Sequence, residues 1–313
     1  MSSTAESLPR RNDKRQLRPQ KPRLWRRRWP RYLALALVTW WGFGFLAAFG
    51  ATQAHPRRIK PRARIGEHAI ENVEVVTPDG LTVRGWLVDV PPPQRTDERR
   101  CVILCAGIRG NRQRMVARAA FYHRLAWSTL LVDLRGTGAS DSARVAMGWH
   151  EAIDLLSWQA LLRQRGYTTV GVHGQSLGAA AAAFTSVRTQ QPPPWSFMVL
   201  EACYLDIGAA LQARIPLPQF LLWPIYVNAE WLLGVDAEDL SPLAAMRRHT
   251  APTFFACGEW DHKVGPCATE LLVDALPVKD KVHYEVPRVG HGDLWGPGGA
   301  GLRDALREFL SRR

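Results

Sequence analysis

Ser176 stands in Gly174-Gln175-Ser176-Leu177-Gly178, after the apolar run Val170-Gly171-Val172 and before an Ala-rich stretch. That order reads as strand, sharp turn and helix, with the serine at the apex. A serine held there projects its hydroxyl away from the backbone, and only residues without a Cβ fit beside it. The helix behind it aims its first N–H groups at the place where negative charge would develop on an attacked carbonyl. A hydroxyl needs a base to activate it and a third group to orient that base. Two later segments offer them: Gly258-Glu259-Trp260-Asp261 and Val289-Gly290-His291-Gly292-Asp293. Glycines on both sides suit His291 to a mobile, exposed imidazole, whereas Glu259 competes with Asp261 as the acid. The chemistry these types can perform is acyl transfer to water, which requires no metal and no organic cofactor.

The elements that must position these residues follow from periodicity. Residues 71–76 and 81–88 are strand-like runs joined by Thr77-Pro78-Asp79-Gly80, so a hairpin opens the body. Further apolar runs at 101–106, 129–132, 170–173, 196–200, 253–257 and 282–286 alternate with helical stretches, the last carrying Leu302, Ala305, Leu306, Phe309 and Leu310 on one face. Alternation of this kind implies an α/β fold with a mostly parallel sheet covered by helices on both faces. Ligands bind such sheets at the carboxyl ends of the strands. Ser176, Asp261 and His291 each fall just past such an end. His173, inside a strand, reads as a packed core histidine, and Asp133, Arg135 and Asp141 as paired groups bracing a loop. Between Glu201 and Thr253 lie about 50 residues where a bare crossover needs far fewer. This insertion, about 204–248, is expected either as a small helical lid lining an apolar acyl site that takes substrate from a bilayer, or as extra core helices.

From about Val73 to the carboxyl terminus the chain resembles the α/β-hydrolase superfamily, and within it the serine-aminopeptidase-like and lipase-type hydrolases. The likeness rests on PDGLTVRGWLV, CAGIRGNRQRM, VDLRGTGASD, GQSLG, GEWD and VGHGD. It implies the α/β-hydrolase fold over residues 66–313, with Ser176 as nucleophile, Asp261 as acid and His291 as base. It also implies an oxyanion hole from the backbone N–H groups of Ile108 and Leu177. Two positions depart from the family pattern: Ala106 stands where His is common, and Ala179 where Gly is frequent. The expected function is a membrane-anchored serine hydrolase cleaving the carboxylic ester of a small acyl substrate, lipid-like or not. The alternatives are a serine aminopeptidase, with Glu201 or Asp206 holding the substrate's α-amine, and a non-catalytic binding protein on the same fold.

Charge is unevenly placed. Residues 1–64 carry 16 Lys/Arg against Glu6 and Asp13, a net +14, while the rest carry 25 against 26 acids, a net −1. A body without a net positive field argues against a nucleic-acid partner. Residues 1–31 have little to bury and are expected to form a disordered tail. Residues 32–51 then run without a charge, matching the ~20 residues that cross ~30 Å of hydrocarbon. Eleven Lys/Arg precede this span and five follow it, which favours a cytoplasmic amino terminus. The body then lies outside the cytoplasm, on the periplasmic side in a two-membrane bacterium. The competing reading is a signal peptide cut near Ala54, for which the run is long. Residues 52–65 read as a stiff basic linker able to touch anionic headgroups. Cys101, Cys105, Cys203, Cys257 and Cys267 lack metal-like spacing and are expected as buried thiols, with a Cys203–Cys257 or Cys257–Cys267 bridge left open.

Overall fold

Each apolar run read as a strand in the body forms one. The computed structural model describes residues 24–91, 98–189, 195–264, 268–292 and 294–313. Helix α1 (Leu24–Ala51) is followed by β1 (His55–Pro56), β2 (Arg64–Ile65), β3 (His68–Ala69), β4 (Glu71–Val76) and β5 (Thr82–Val88). Next come β6 (Arg100–Cys105), α2 (Val116–His123), β7 (Ser128–Asp133), β8 (Thr137–Gly138), α3 (Glu151–Gln164), β9 (Thr169–Gln175) and α4 (Leu177–Arg188). The chain continues through β10 (Phe197–Glu201), α5 (Ile207–Arg214), α6 (Gln219–Leu233), α7 (Pro242–Met246) and β11 (Thr253–Gly258). It closes with α8 (Ala268–Ala275), β12 (Lys281–Val286) and α9 (Ala300–Leu310).

Among the described residues, eight strands form one sheet in the order β12-β11-β10-β9-β6-β7-β5-β4. Pairing is parallel from β12 through β7 and antiparallel where β5 and β4 join the edge. Strands buried on both faces need apolar residues at every position, and β6, reading Cys-Val-Ile-Leu-Cys after Arg100, has them. One face packs Leu155 and Trp158 of α3, the alanines of α4 and Leu272 of α8. The other packs Ala119 and Tyr122 of α2 with Leu302, Leu306 and Phe309 of α9. Each fully buried large apolar side chain contributes ~1.5–3 kcal/mol over its exposed state.

The chain divides into two units, Met1–Gly42 and Phe43–Arg313. Residues 28–51 form a helical stretch long and apolar enough to cross a membrane. The helix begins at Leu24, so residues 24–31 are helical where the sequence reading expects a tail without structure. Leu and Arg are good helix formers and extend the helix back through the basic cluster. Residues 1–23 lie outside the described residues.

The stiff basic stretch 52–65 pairs with the body. The N–H of His55 donates to Gly136 O (2.6 Å) and that of Arg57 to Gly138 O (2.8 Å), as β1 pairs with β8. Ile65 is buried in the same cluster as α2 and α9. An apolar side chain inside the cationic stretch is what draws it onto the body.

The 204–248 insertion divides between its two expectations. Ala245 and Met246 of α7 join the main core, whereas α5 and α6 build a satellite cluster with Leu222 and Ile225 at its centre. Cys101, Cys105, Cys203 and Cys257 are buried free thiols, which removes the Cys203–Cys257 bridge. A Cys257–Cys267 bridge falls outside the described residues.

Candidate active site

Ser176 sits between β9 and α4 with φ +50° and ψ −108°, a conformation L side chains rarely adopt. Close packing enforces it. A Cβ on Gly174 would come within 2.3 Å of the Gly178 backbone, and one on Gly178 within 2.6 Å of Cys105 O. The N–H of Ser176 donates to Glu201 O at 2.8 Å, which ties the apex to the end of β10. Leu177 opens α4, so its N–H has no partner within the helix. Gly107 lies against Ser176, where an added Cβ would meet Ser176 Cβ at 3.1 Å, and Ile108 follows it.

The three sequence candidates come together. His291 Nε2 is 3.0 Å from Ser176 Oγ. On the other side of the ring, His291 Nδ1 is 2.9 Å from Asp261 Oδ2 and 3.1 Å from Oδ1. Asp261 is nearly buried, and its Oδ1 accepts the Lys263 N–H at 3.0 Å. Glu259, the competing acid, is exposed and accepts the Arg288 N–H at 2.8 Å. Asp293 lies outside the described residues. A cleft of about 400 Å³ opens beside the histidine, lined by Trp260, His262, Lys263, Gly290, His291 and Gly292.

Beneath the serine lies a buried polar cluster. Glu201 binds Arg118 through both oxygens, accepts His173 Nε2 at 2.6 Å, and accepts the indole N–H of Trp295. Tyr122 donates its hydroxyl to His173 Nδ1 at 3.0 Å. Burial would raise the Glu201 carboxyl, but the Arg118 charge and the His173 hydrogen bond prevail and hold it below the usual range. Burial depresses His173 below the usual imidazole range, against the pull of Glu201. His173 is therefore the packed histidine its strand position implies.

Glu201 is not free to hold a substrate amine, which corrects that expectation. Asp206 instead caps α5, accepting Ala209 N–H at 2.7 Å. Sequence reasoning missed Arg118 and Trp295. The signal for Arg118 was present: it shares the i, i+3, i+4, i+7 face of Met115, Ala119 and Tyr122, where a lone cation demands a buried anion.

The loop after β7 is braced as its charges imply. Asp133 pairs with Arg112 at 2.8 Å, Arg135 with Asp154 at 2.7 Å, and Asp141 with Arg84 at 3.0 Å. The hydrogen bond from Arg135 holds Asp79, at the hairpin turn, down to about 2.

No family model matches the sequence. Uncharacterized proteins of Mycobacterium tuberculosis are 29% identical to the chain over 244 residues, which cover 77% of it and 79% of them. Among solved structures it is similar to an esterase of Pyrococcus furiosus, with TM-score 0.65 and 19% identity over 84% of this chain and 99% of the esterase. It is also similar to an acylaminoacyl peptidase, with TM-score 0.57 and 14% identity over 79% of this chain and 42% of the peptidase. Likeness at these identities speaks to architecture, and together with the strand order it shows that this chain is built on the α/β-hydrolase fold.

Proposed function

We propose that the chain is a membrane-anchored serine hydrolase that cleaves carboxylic esters. The observation that carries this reading is the continuous path Ser176 Oγ, His291 Nε2, His291 Nδ1, Asp261 Oδ2, with steps of 3.0 and 2.9 Å at its two hydrogen bonds. In this reading His291 takes the proton of Ser176 as its oxygen attacks the acyl carbon. Asp261 holds the Nδ1–H tautomer and stabilises the imidazolium. The N–H groups of Ile108 and Leu177 receive the oxyanion, and losing one such donor typically costs ~10²–10³ in rate. The alcohol leaves with the proton from His291, and water cleaves the acyl-enzyme with His291 again as base.

Ester rather than aminoacyl substrates are favoured by Glu201, whose carboxylate is buried and bonded to Arg118, His173 and Trp295. Membrane attachment rests on the apolar helical stretch 28–51 and the cations before it, which favour a body outside the cytoplasm. The test is labelling by a fluorophosphonate, with and without Ser176→Ala, beside turnover of acyl esters of graded chain length and aminoacyl amides. Labelling lost in the variant and turnover confined to esters support the reading. Unchanged turnover in Ser176→Ala overturns the assignment of the nucleophile, and faster turnover of the amides overturns the substrate class.

A further inference from the structure

Helix α6 is apolar on two faces. Leu222 and Ile225 turn inward and are buried, while Phe220 and Trp231 lie on the opposite stripe and are 69% and 74% exposed. Glu230 is the helix's sole charge, and it is held by the Ala237 N–H at 2.9 Å. An open apolar stripe of this size on a helix marks a surface meant to be covered.

What lies beside it names the cover. Residues 43–51, the end of the uncharged run, pack directly on α6. A Cβ on Gly44 would meet Pro224 Cβ at 2.4 Å, Ala48 is buried against Leu222 and Ile225, and the Phe45 and Trp231 rings are 6.4 Å apart. Phe43 and Leu46 on this segment are themselves 62% and 67% exposed. Gly44 lies seven residues before the end of the run, which at 1.5 Å per residue is ~10 Å along the helix. Helices that lie in a membrane interface are buried by ~5–10 Å. Exposed Arg57, Arg58, Lys60 and Arg62 follow the run, where headgroups would be.

Resting on the reading of the uncharged run as an anchor, we propose that α6 is itself seated in the bilayer boundary, with Phe220 and Trp231 among acyl chains. The substrate is then an ester presented by that membrane. Helix α5 connects α6 and the catalytic site. Leu211 and Ile215 pack in the α6 cluster, and Arg214 donates to Lys263 O at 2.9 Å, two residues from Asp261.

The test uses the full chain reconstituted in phosphatidylcholine vesicles. An environment-sensitive fluorophore is placed in turn at Phe220→Cys, Trp231→Cys, Leu46→Cys in the anchor, and Leu271→Cys on α8, all in a Cys267→Ser background. Quenching by nitroxides on the acyl chains at 220 and 231, with none at 271, is the expected result. Absence of quenching at 220 and 231 overturns the proposal. If 46 is still quenched, the anchor reading survives that failure; if 46 is silent as well, both fall. A blue shift at 220 without lipid quenching also overturns it, in favour of a second copy of the chain covering α6. A second readout is the ratio of turnover of a long-chain ester in vesicles to that of a soluble short-chain ester. The ratio should fall at least tenfold in Phe220→Asp/Trp231→Asp, and an unchanged ratio overturns the proposal.

Discussion

The indole N–H of Trp295 donates to Glu201 Oε1, and so joins the loop that carries His291 to the strand end that holds the Ser176 backbone. The Trp295 ring also stacks edge-on to Phe121 at 5.4 Å and lies under the Arg118 guanidinium at 5.1 Å. Trp295→Phe keeps most of this packing and removes one hydrogen bond to a charged group, a loss of ~1.5–3 kcal/mol. Thermal melting should show that loss, and kcat/KM should fall with it because the His291 loop is less firmly placed. Full stability and activity in the variant would mean the indole contact positions nothing.

Breaking the same cluster at its charge should cost more. Glu201→Gln leaves the buried Arg118 without a counter-charge, and removing one partner of a buried pair destabilises by ~3–5 kcal/mol. Denaturant unfolding measures it. Arg118→Met/Glu201→Leu should recover part of the loss, since no unpaired charge remains; a double variant as unstable as Glu201→Gln would point to packing instead.

Asp261→Asn should lower turnover by ~10⁴, because an amide cannot hold His291 in the tautomer that accepts the serine proton. Glu259→Gln should change it little, as Glu259 is exposed and, among the described residues, bonds only the Arg288 N–H. The reverse ranking would move the acid to Glu259.

The sheet and the meeting of Ser176, Asp261 and His291 were legible because both depend on local signals. Apolar runs fix the strands, and turn residues fix their carboxyl ends, where the three side chains sit. The Glu201 cluster was not legible as a unit. Arg118, His173, Glu201 and Trp295 lie on four different elements, and no spacing within the chain connects them. Docking of residues 52–65 was hidden for a different reason. Five cations dominate their composition, while Ile65 and the backbone pairing of His55 and Pro56 decide their place.

Two glycines near the site should respond in opposite ways. Gly174→Ala drives a Cβ to 2.3 Å from the Gly178 backbone, at the crossing of β9 and α4, and neither element can retreat without moving Ser176. Overpacking of well-packed cores costs ~1–3 kcal/mol, and backbone contact this close belongs at or above the upper end. Gly292→Ala meets nothing within 4 Å, although it adjoins His291. Melting temperature should fall sharply for the first and hold for the second. Equal losses would show that Gly292 serves the backbone of the loop rather than open space.

Acid should weaken the fold through His249. Its Nε2–H donates to Ala183 O at 2.7 Å, and its Nδ1 has no partner, so a proton there would place an unmatched charge in the core. Burial lowers its pKa to about 4. In the unfolded chain the ring titrates near 6.5, so as pH falls below that value the unfolded state takes the proton first. The stabilisation is complete above about 6.5 and is lost as pH falls through about 4. At 1.36 kcal/mol per unit this is about 3 kcal/mol. Burial raises Glu151 to about 7 and Asp154 to about 6, which works in the opposite direction over the same window, so total stability is a poor reporter. The difference between wild type and His249→Gln cancels those carboxyls, and glutamine can still donate to Ala183 O. Measured by denaturant unfolding, that difference should shift by about 3 kcal/mol toward the variant between pH 7 and pH 4. A pH-independent difference would show that His249 accepts its proton without leaving the core.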